Sequence, residues 1–274
     1  MARLVGVVFL ATLLASLVAC SPEREGGQQQ ADENPQRANG RTTAAPERTA
    51  ARAVPGGETT AASGASISWD YVALGDSLAA GVGAREDYVE RYADHLRRDT
   101  GARVEVTNLG RSGQTSSELL HALRNDSSMR EALTGAEVVT FNIAINDLGY
   151  AGSAYEAGTC GGEDDEACLR AAVETVKRNW DDIIDELLGL RSTENTIIRT
   201  PGLGYVPRVD ETFKPYVSEV NRHIATTTED HDIPYAEVRL EEDMLPDGLH
   251  PDDSGTEVIA ERLRGLGYEP LSSR

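Results

Sequence analysis

The sequence predicts an α/β domain built on a parallel sheet with helices on both faces. Three observations predict it. Short apolar runs alternate with helical patterns through residues 67–274, an order that requires crossover connections and therefore parallel strands. That stretch is about 200 residues long, enough for one domain with a single sizeable core. Its Gly, Asp and Asn residues gather just after the predicted strands, where open parallel sheets place their sites.

Residues 71–74 read as the first strand. Val89, Tyr92 and Leu96 then share one helical face, and Gly101 supplies a stop. Residues 104–109 form a second strand, followed by helical turns through Leu119, Leu120 and Leu123. Residues 138–145 are a third strand and 149–167 an irregular stretch. Leu169, Val173, Val176, Trp180, Ile183 and Leu187 recur at spacings of four and three, an amphipathic helix that stops near Gly189. Residues 196–198 give a fourth strand, and Phe213, Val217, Val220 and Ile224 a further helix. Residues 235–238 are a fifth strand and 258–266 a last helix.

The chain ahead of this domain differs in kind. After Arg3, residues 4–18 are unbroken by charge and too short to span a bilayer, as in an export signal. The run ends in Leu17-Val18-Ala19-Cys20, which resembles the lipobox of bacterial lipoproteins and implies lipidation at Cys20. Residues 21–66 contain one Val, Val54, and no Ile, Leu, Met, Phe, Tyr or Trp. They cannot bury enough surface to offset the entropy of ordering and read as a disordered tether. The expected organisation is a signal over residues 1–20, a tether over 21–66 and a domain over 67–274, outside the cytoplasm and lipid-anchored to a bacterial cell membrane.

The net charge of −20 falls on the domain, because residues 1–66 hold equal numbers of Arg and acidic groups. Nucleic acid is therefore excluded as a partner. Cys160 and Cys168, in TCGGEDDEAC, read as a local disulfide in an oxidising compartment, with free thiols the alternative. A metal pair has no support, since the segment lacks histidine and a zinc spacing. The segment over residues 149–167 follows the third strand and Asn146-Asp147, so it should lie beside the site, mobile unless fastened, with Tyr150 and Tyr155 either rimming a substrate or packed on their own loop.

Four loops carry chemistry: Gly75-Asp76-Ser77, Asn108-Leu109-Gly110, Asn146-Asp147 and Asp247-Gly248-Leu249-His250-Pro251. A serine hydroxyl needs a base to become a nucleophile, so Ser77 needs an imidazole. His95, His121 and His223 lie among charged residues on predicted helices and His231 in a connector, all four read as solvated. His250 alone sits in a strand-end loop, three residues after a carboxylate, Asp247, that can hold its Nδ1 proton. Asp76 reads as structural, bonded within its own loop.

These blocks, from YVALGDSLAAG through NLGRSGQTS and NIAIND to DGLHPDDSG, resemble those of the GDSL or SGNH hydrolases, which supply Ser, Gly, Asn and His in that order. The resemblance implies a three-layer α/β/α sandwich with a five-stranded parallel sheet. An acyl-transfer reaction needs donors at the developing oxyanion, and the backbone N–H groups of Ser77 and Gly110 with the Asn146 amide fit that part. One departure is Ala144, where the family usually has glycine. The Gly-x-Ser-x-Gly elbow of the other α/β serine hydrolases is absent, because Ala79 follows Ser77 at the second glycine's place.

The reading is of a monomeric serine ester hydrolase without cofactor or metal, acting on a small-molecule, lipid or glycan ester, and touching membrane through its lipid anchor only. A carbohydrate O-deacetylase, or an inactive domain binding acyl or sugar ligands, is the alternative on this scaffold. A metallohydrolase using Asp76, Asp147, Asp247 and His250 is a weaker third, with one histidine and no metal-ligand spacing.

Overall fold

The computed structural model describes residues 67–203 and 211–271. The leader, the tether and Cys20 lie outside the described residues. The strands are β1 (Ser68–Gly75), β2 (Arg103–Asn108), β3 (Val138–Asn142), β4 (Ile197–Pro201) and β5 (Tyr235–Ala236). They form one five-stranded sheet in the order β2-β1-β3-β4-β5, parallel at every pairing. The helices are α1 (Tyr88–Thr100), α2 (Ser116–Asn125), α3 (Ser127–Gly135), α4 (Ile145–Glu156), α5 (Ala167–Leu190), α6 (Lys214–Asp230) and α7 (Asp253–Arg264).

Strand side chains point alternately to opposite faces, and β1 shows how this makes three layers. Val72 and Leu74 enter a core with α2 to α6, joined by Phe141, Trp180 and Ile224. Tyr71 and Ala73 enter a second core with α1 and α7, joined by Tyr92, Leu96 and Ile259. The central strands are buried on both faces, so they read as continuous apolar runs. The three-layer α/β/α sandwich is therefore as expected.

Local chemistry sets the helix limits. Asp87 caps α1 by accepting from Glu90 N–H, and Gly101 ends it at φ 73°. Thr115 and Glu118 form a reciprocal capping box at the start of α2.

The largest differences from expectation fall in three elements. The third strand stops at Asn142 instead of running to residue 145, because Ala144 takes φ 133° and turns the chain into α4. Helix α4 replaces the first part of the irregular stretch; its INDLGYAGSAYE sequence has two glycines that hide a helical pattern. Helix α3 also went unread, although Asp126 caps it by accepting from Ser128 and Met129 N–H. The disulfide joins Cys160 to Cys168, fastening the segment after α4 to the start of α5. His95 is a correction: at 2% exposure it lies between α1 and α7, because its helix is amphipathic and it sits one position before Leu96 on the covered face.

Candidate active site

The sheet order reverses between β1 and β3, and an open α/β sheet has its ligand crevice at such a switch point, beyond the carboxyl ends of the strands. Ser77 stands there. Gly75 ends β1 at φ 145°, and an added Cβ would meet the Asn142 carbonyl oxygen at 2.5 Å. Only glycine brings β1 that close to β3. The chain then turns tightly, with Ala80 N–H donating to Asp76 O and Val82 N–H to Ser77 O, both at 3.0 Å.

Asp76 anchors this turn from beneath. Leu78 N–H and the Asn142 amide donate to its Oδ1 at 3.0 and 3.1 Å, and Tyr88 Oη–H donates to Asn142 Oδ1 at 3.0 Å. Its Oδ2 is buried without a partner. Burial pushes the Asp76 carboxyl from 3.8 up to about 6, which the Leu78 and Asn142 donors offset only in part.

The imidazole beside Ser77 comes from the opposite end of the domain sequence. His250 Nε2 lies 3.0 Å from Ser77 Oγ, and its Nδ1 lies 2.7 Å from Asp247 Oδ2. An ionised carboxylate only accepts hydrogen bonds. The imidazole proton therefore sits on Nδ1, leaving the Nε2 lone pair toward the serine hydroxyl. Asp247 Oδ1 also accepts from Leu249 and His250 N–H at 2.9 and 2.7 Å, so one carboxylate fixes both the loop and the ring. Partial burial raises the Asp247 carboxyl, but the His250 side chain and these N–H donors outweigh it and hold it below the ordinary value.

Two residues that the sequence reading missed lock the loops together. An added Cβ at Gly83 would meet Pro251 O at 2.8 Å and His250 Cβ at 2.9 Å. Asp253 Oδ1 accepts from Arg85 N–H at 2.7 Å and Glu86 N–H at 3.2 Å. Neither had a legible signal, since both look like ordinary loop and helix-start residues.

Gly110 abuts the turn after the serine, where a Cβ would meet Ala80 N at 2.6 Å and Ala79 C at 2.8 Å. Asn108 braces this contact: its amide donates to Ala79 O at 2.7 Å and its Oδ1 accepts from Gly110 N–H at 3.0 Å. Asn146 stands in the first turn of α4 and donates one amide hydrogen to Gln114 O at 2.9 Å. Asp147 accepts from Ser116 N–H and Oγ–H at 2.9 and 2.7 Å, tying α4 to α2; burial raises its carboxyl and the Ser116 bonds only partly oppose this.

The structure thus brings Ser77, His250 and Asp247 into one hydrogen-bonded chain. Gly110 lies against the Ser77 turn, while the contacts of Asn146 run to Gln114. Among the described residues, no carboxylate and histidine cluster with metal-ligand spacing contains Asp76, Asp147, Asp247 or His250. Each of those carboxylates has a different local partner. Tyr155 stacks edge-on against Phe213, with centroids 5.6 Å apart, and Tyr150 projects into solvent.

A cavity of about 40 Å³ opens beside Ser77 and His250, walled by Ile145, Leu203, Val238, Leu240 and Leu249. That is room for two or three water-sized groups.

Residues 73–258 match the GDSL-like Lipase/Acylhydrolase family. The chain is similar to the spore germination lipase LipC of Bacillus licheniformis, 28% identical over 217 residues, covering 75% of this chain and 99% of that protein. Among solved structures it is similar to a lipase from a goat rumen metagenome, with a TM-score of 0.66 and 27% identity over 74% of this chain and 99% of that one. An acetylxylan esterase from Geobacillus stearothermophilus shares the fold at a TM-score of 0.56 and 18% identity, over 76% of this chain and 99% of that one. A family match that spans the strands, the serine turn and the histidine loop makes this chain a member of the GDSL-like lipase/acylhydrolase family of ester hydrolases.

Proposed function

We propose that the domain cleaves carboxylic esters through an acyl-enzyme on Ser77, with short acyl groups preferred. The observation that carries this reading is the continuous path from Asp247 Oδ2 through His250 to Ser77 Oγ, at 2.7 and 3.0 Å. As Oγ attacks the ester carbonyl, His250 Nε2 takes its proton, and Asp247 stabilises the imidazolium that forms. Collapse of the tetrahedral species breaks the bond to the alcohol, which leaves with the proton from Nε2. Water then repeats the sequence, releasing the acid and restoring Ser77.

The oxyanion falls to the N–H groups of Ser77 and Gly110 and to Asn146. An amide has two donor hydrogens, so Asn146 keeps one for substrate beside its bond to Gln114. Gly110 N–H would exchange Asn108 Oδ1 for the oxyanion. The small apolar cavity favours acetyl and similarly short acyl groups, which is also the chemistry of a carbohydrate O-deacetylase. The apolar leader and the lipobox-like Leu17-Val18-Ala19-Cys20 support placing this activity outside the cytoplasm on a lipid anchor, which needs more than one acyl chain for stable attachment.

Treatment with a fluorophosphonate followed by peptide mass spectrometry tests the serine mechanism. One adduct on Ser77 is expected, abolished in His250→Ala. Labelling of a different serine with Ser77 unmodified would overturn the reading. Mass spectrometry of membrane-extracted protein should find the mature N-terminus at a diacylated Cys20; unlipidated protein refutes the anchor.

A further inference from the structure

We infer that His95, Glu257 and Glu261 form a binding site for a divalent transition-metal ion of the zinc class, at the contact between α1 and α7 and separate from the ester-cleaving residues. The first observation is geometric. Glu257 and Glu261 stand one turn apart on α7, and their Oε1 atoms lie 4.0 and 3.5 Å from His95 Nε2. All three potential ligand atoms fall within 4.8 Å of one another. Ligands bonded tetrahedrally to zinc at about 2.0–2.2 Å stand roughly 3.3–3.6 Å apart. Small rotations of two side chains that are about half exposed close the difference.

The second observation is independent of the glutamates. His95 is 2% exposed, yet its Nε2 is buried with no hydrogen-bond partner, although buried polar atoms are ordinarily satisfied. This nitrogen faces the two carboxylates. One imidazole with two carboxylate oxygens suits zinc and its neighbours better than calcium or magnesium, which take oxygen ligands. Water would complete the coordination.

The charged groups around the cluster define what binding must rearrange. Arg91 holds Glu257 by Oε2 at 2.6 Å, leaving Oε1 for the metal. Arg264 reaches Glu261 Oε1 at 3.3 Å but is anchored on Asp99 at 2.8 Å. Arg98 donates to His95 Nδ1 at 2.9 Å. An arginine only donates, so the metal-free ring carries its proton on Nε2. On binding, the metal takes the Nε2 lone pair, the single ring proton passes to Nδ1, and the exposed Arg98 arm swings into solvent. The ring stays neutral throughout. The ion would clamp α7, which follows the His250 loop directly, onto α1.

The full chain, stripped with EDTA and titrated with zinc chloride, tests this by calorimetry and thermal melting. One saturable site and a rise in Tm are expected. Glu257→Gln and Glu261→Gln should each weaken binding about tenfold or more, with the metal-free Tm near wild type. Arg98→Ala should bind more tightly, because nothing then opposes a proton on Nδ1. Absence of saturable zinc binding would overturn the site, as would binding unchanged in both glutamine variants.

Discussion

Gly83 lies so close beneath His250 that a single added methyl would meet the histidine Cβ at 2.9 Å and the Pro251 carbonyl at 2.8 Å. The glycine also sits at φ 96°, where side chains are strained. On the proposed mechanism it positions the base. Gly83→Ala should push His250 away from Ser77 and lower kcat/KM about 10- to 100-fold, since misplacement near 1 Å costs roughly that much. Circular dichroism should show the fold retained; wild-type kinetics in a folded variant would mean the loop absorbs the methyl freely.

Ser77→Ala and His250→Ala should each lower kcat by about 10³-fold or more, because members of such a chain act as a unit. Asp247→Ala should cost less, as the ring keeps its packing beside Gly83. Steady-state assays on variants free of wild-type protein decide it. Near-normal turnover by Ser77→Ala excludes the serine as nucleophile.

Asp76 predicts a pH effect on stability. Its folded value of about 6 lies above the ordinary 3.8, so the folded state binds this proton more readily than the unfolded one. The contribution therefore favours folding below about pH 4, weakens as pH rises through that window, and is fully unfavourable above about pH 6. Asp76→Asn removes the ionisation. Its stability relative to wild type should rise between about pH 4 and pH 6 by on the order of 1–3 kcal/mol. Urea melts across that range check this, and a constant difference would refute it.

Ala144 is buried at φ 133° and ψ −22°, a region that glycine occupies at little cost. Strain of about 1–3 kcal/mol is as large as the methyl burial and the unfolded-state entropy that alanine provides, about 0.8 and 0.4–1 kcal/mol. Ala144→Gly should thus hold or raise Tm, although an alanine elsewhere in the core would lose stability on the same change. A clear fall in Tm would show the position unstrained.

The cavity of about 40 Å³ predicts an acyl-length profile. Acetyl and butyryl p-nitrophenyl esters should exceed the decanoyl ester by about tenfold or more in kcat/KM, since a chain too long for the cavity shifts its carbonyl away from Ser77 Oγ, and misplacement near 1 Å costs up to about 10²-fold. A maximum at decanoyl would place the acyl chain outside this cavity.

Much of this was legible because the decisive residues act locally. Asp247 and His250 are three apart and bond each other within one loop, and Ser77 follows a strand whose side chains alternate strictly between two cores. What stayed hidden depends on long-range packing. Nothing near Gly83 in sequence announces His250, and nothing near His95 announces Glu257 and Glu261, so His95 looked solvated. Helix α4 was missed for a different reason: Ala144 adopts a conformation that alanine rarely takes, and the apolar run that should have extended β3 bends into a helix instead.

The bond between Ser77 and His250 joins positions 173 residues apart, with four of the five strands and six of the seven helices lying between or beside them. Activity is therefore a property of the finished chain. On the proposed mechanism, a product truncated between residues 77 and 250 would keep the serine and remain inert, because its hydroxyl has no base. On that mechanism the hydrolase stays silent during synthesis until its last helix is being made, and an assay of ester cleavage counts only molecules that extend past residue 250.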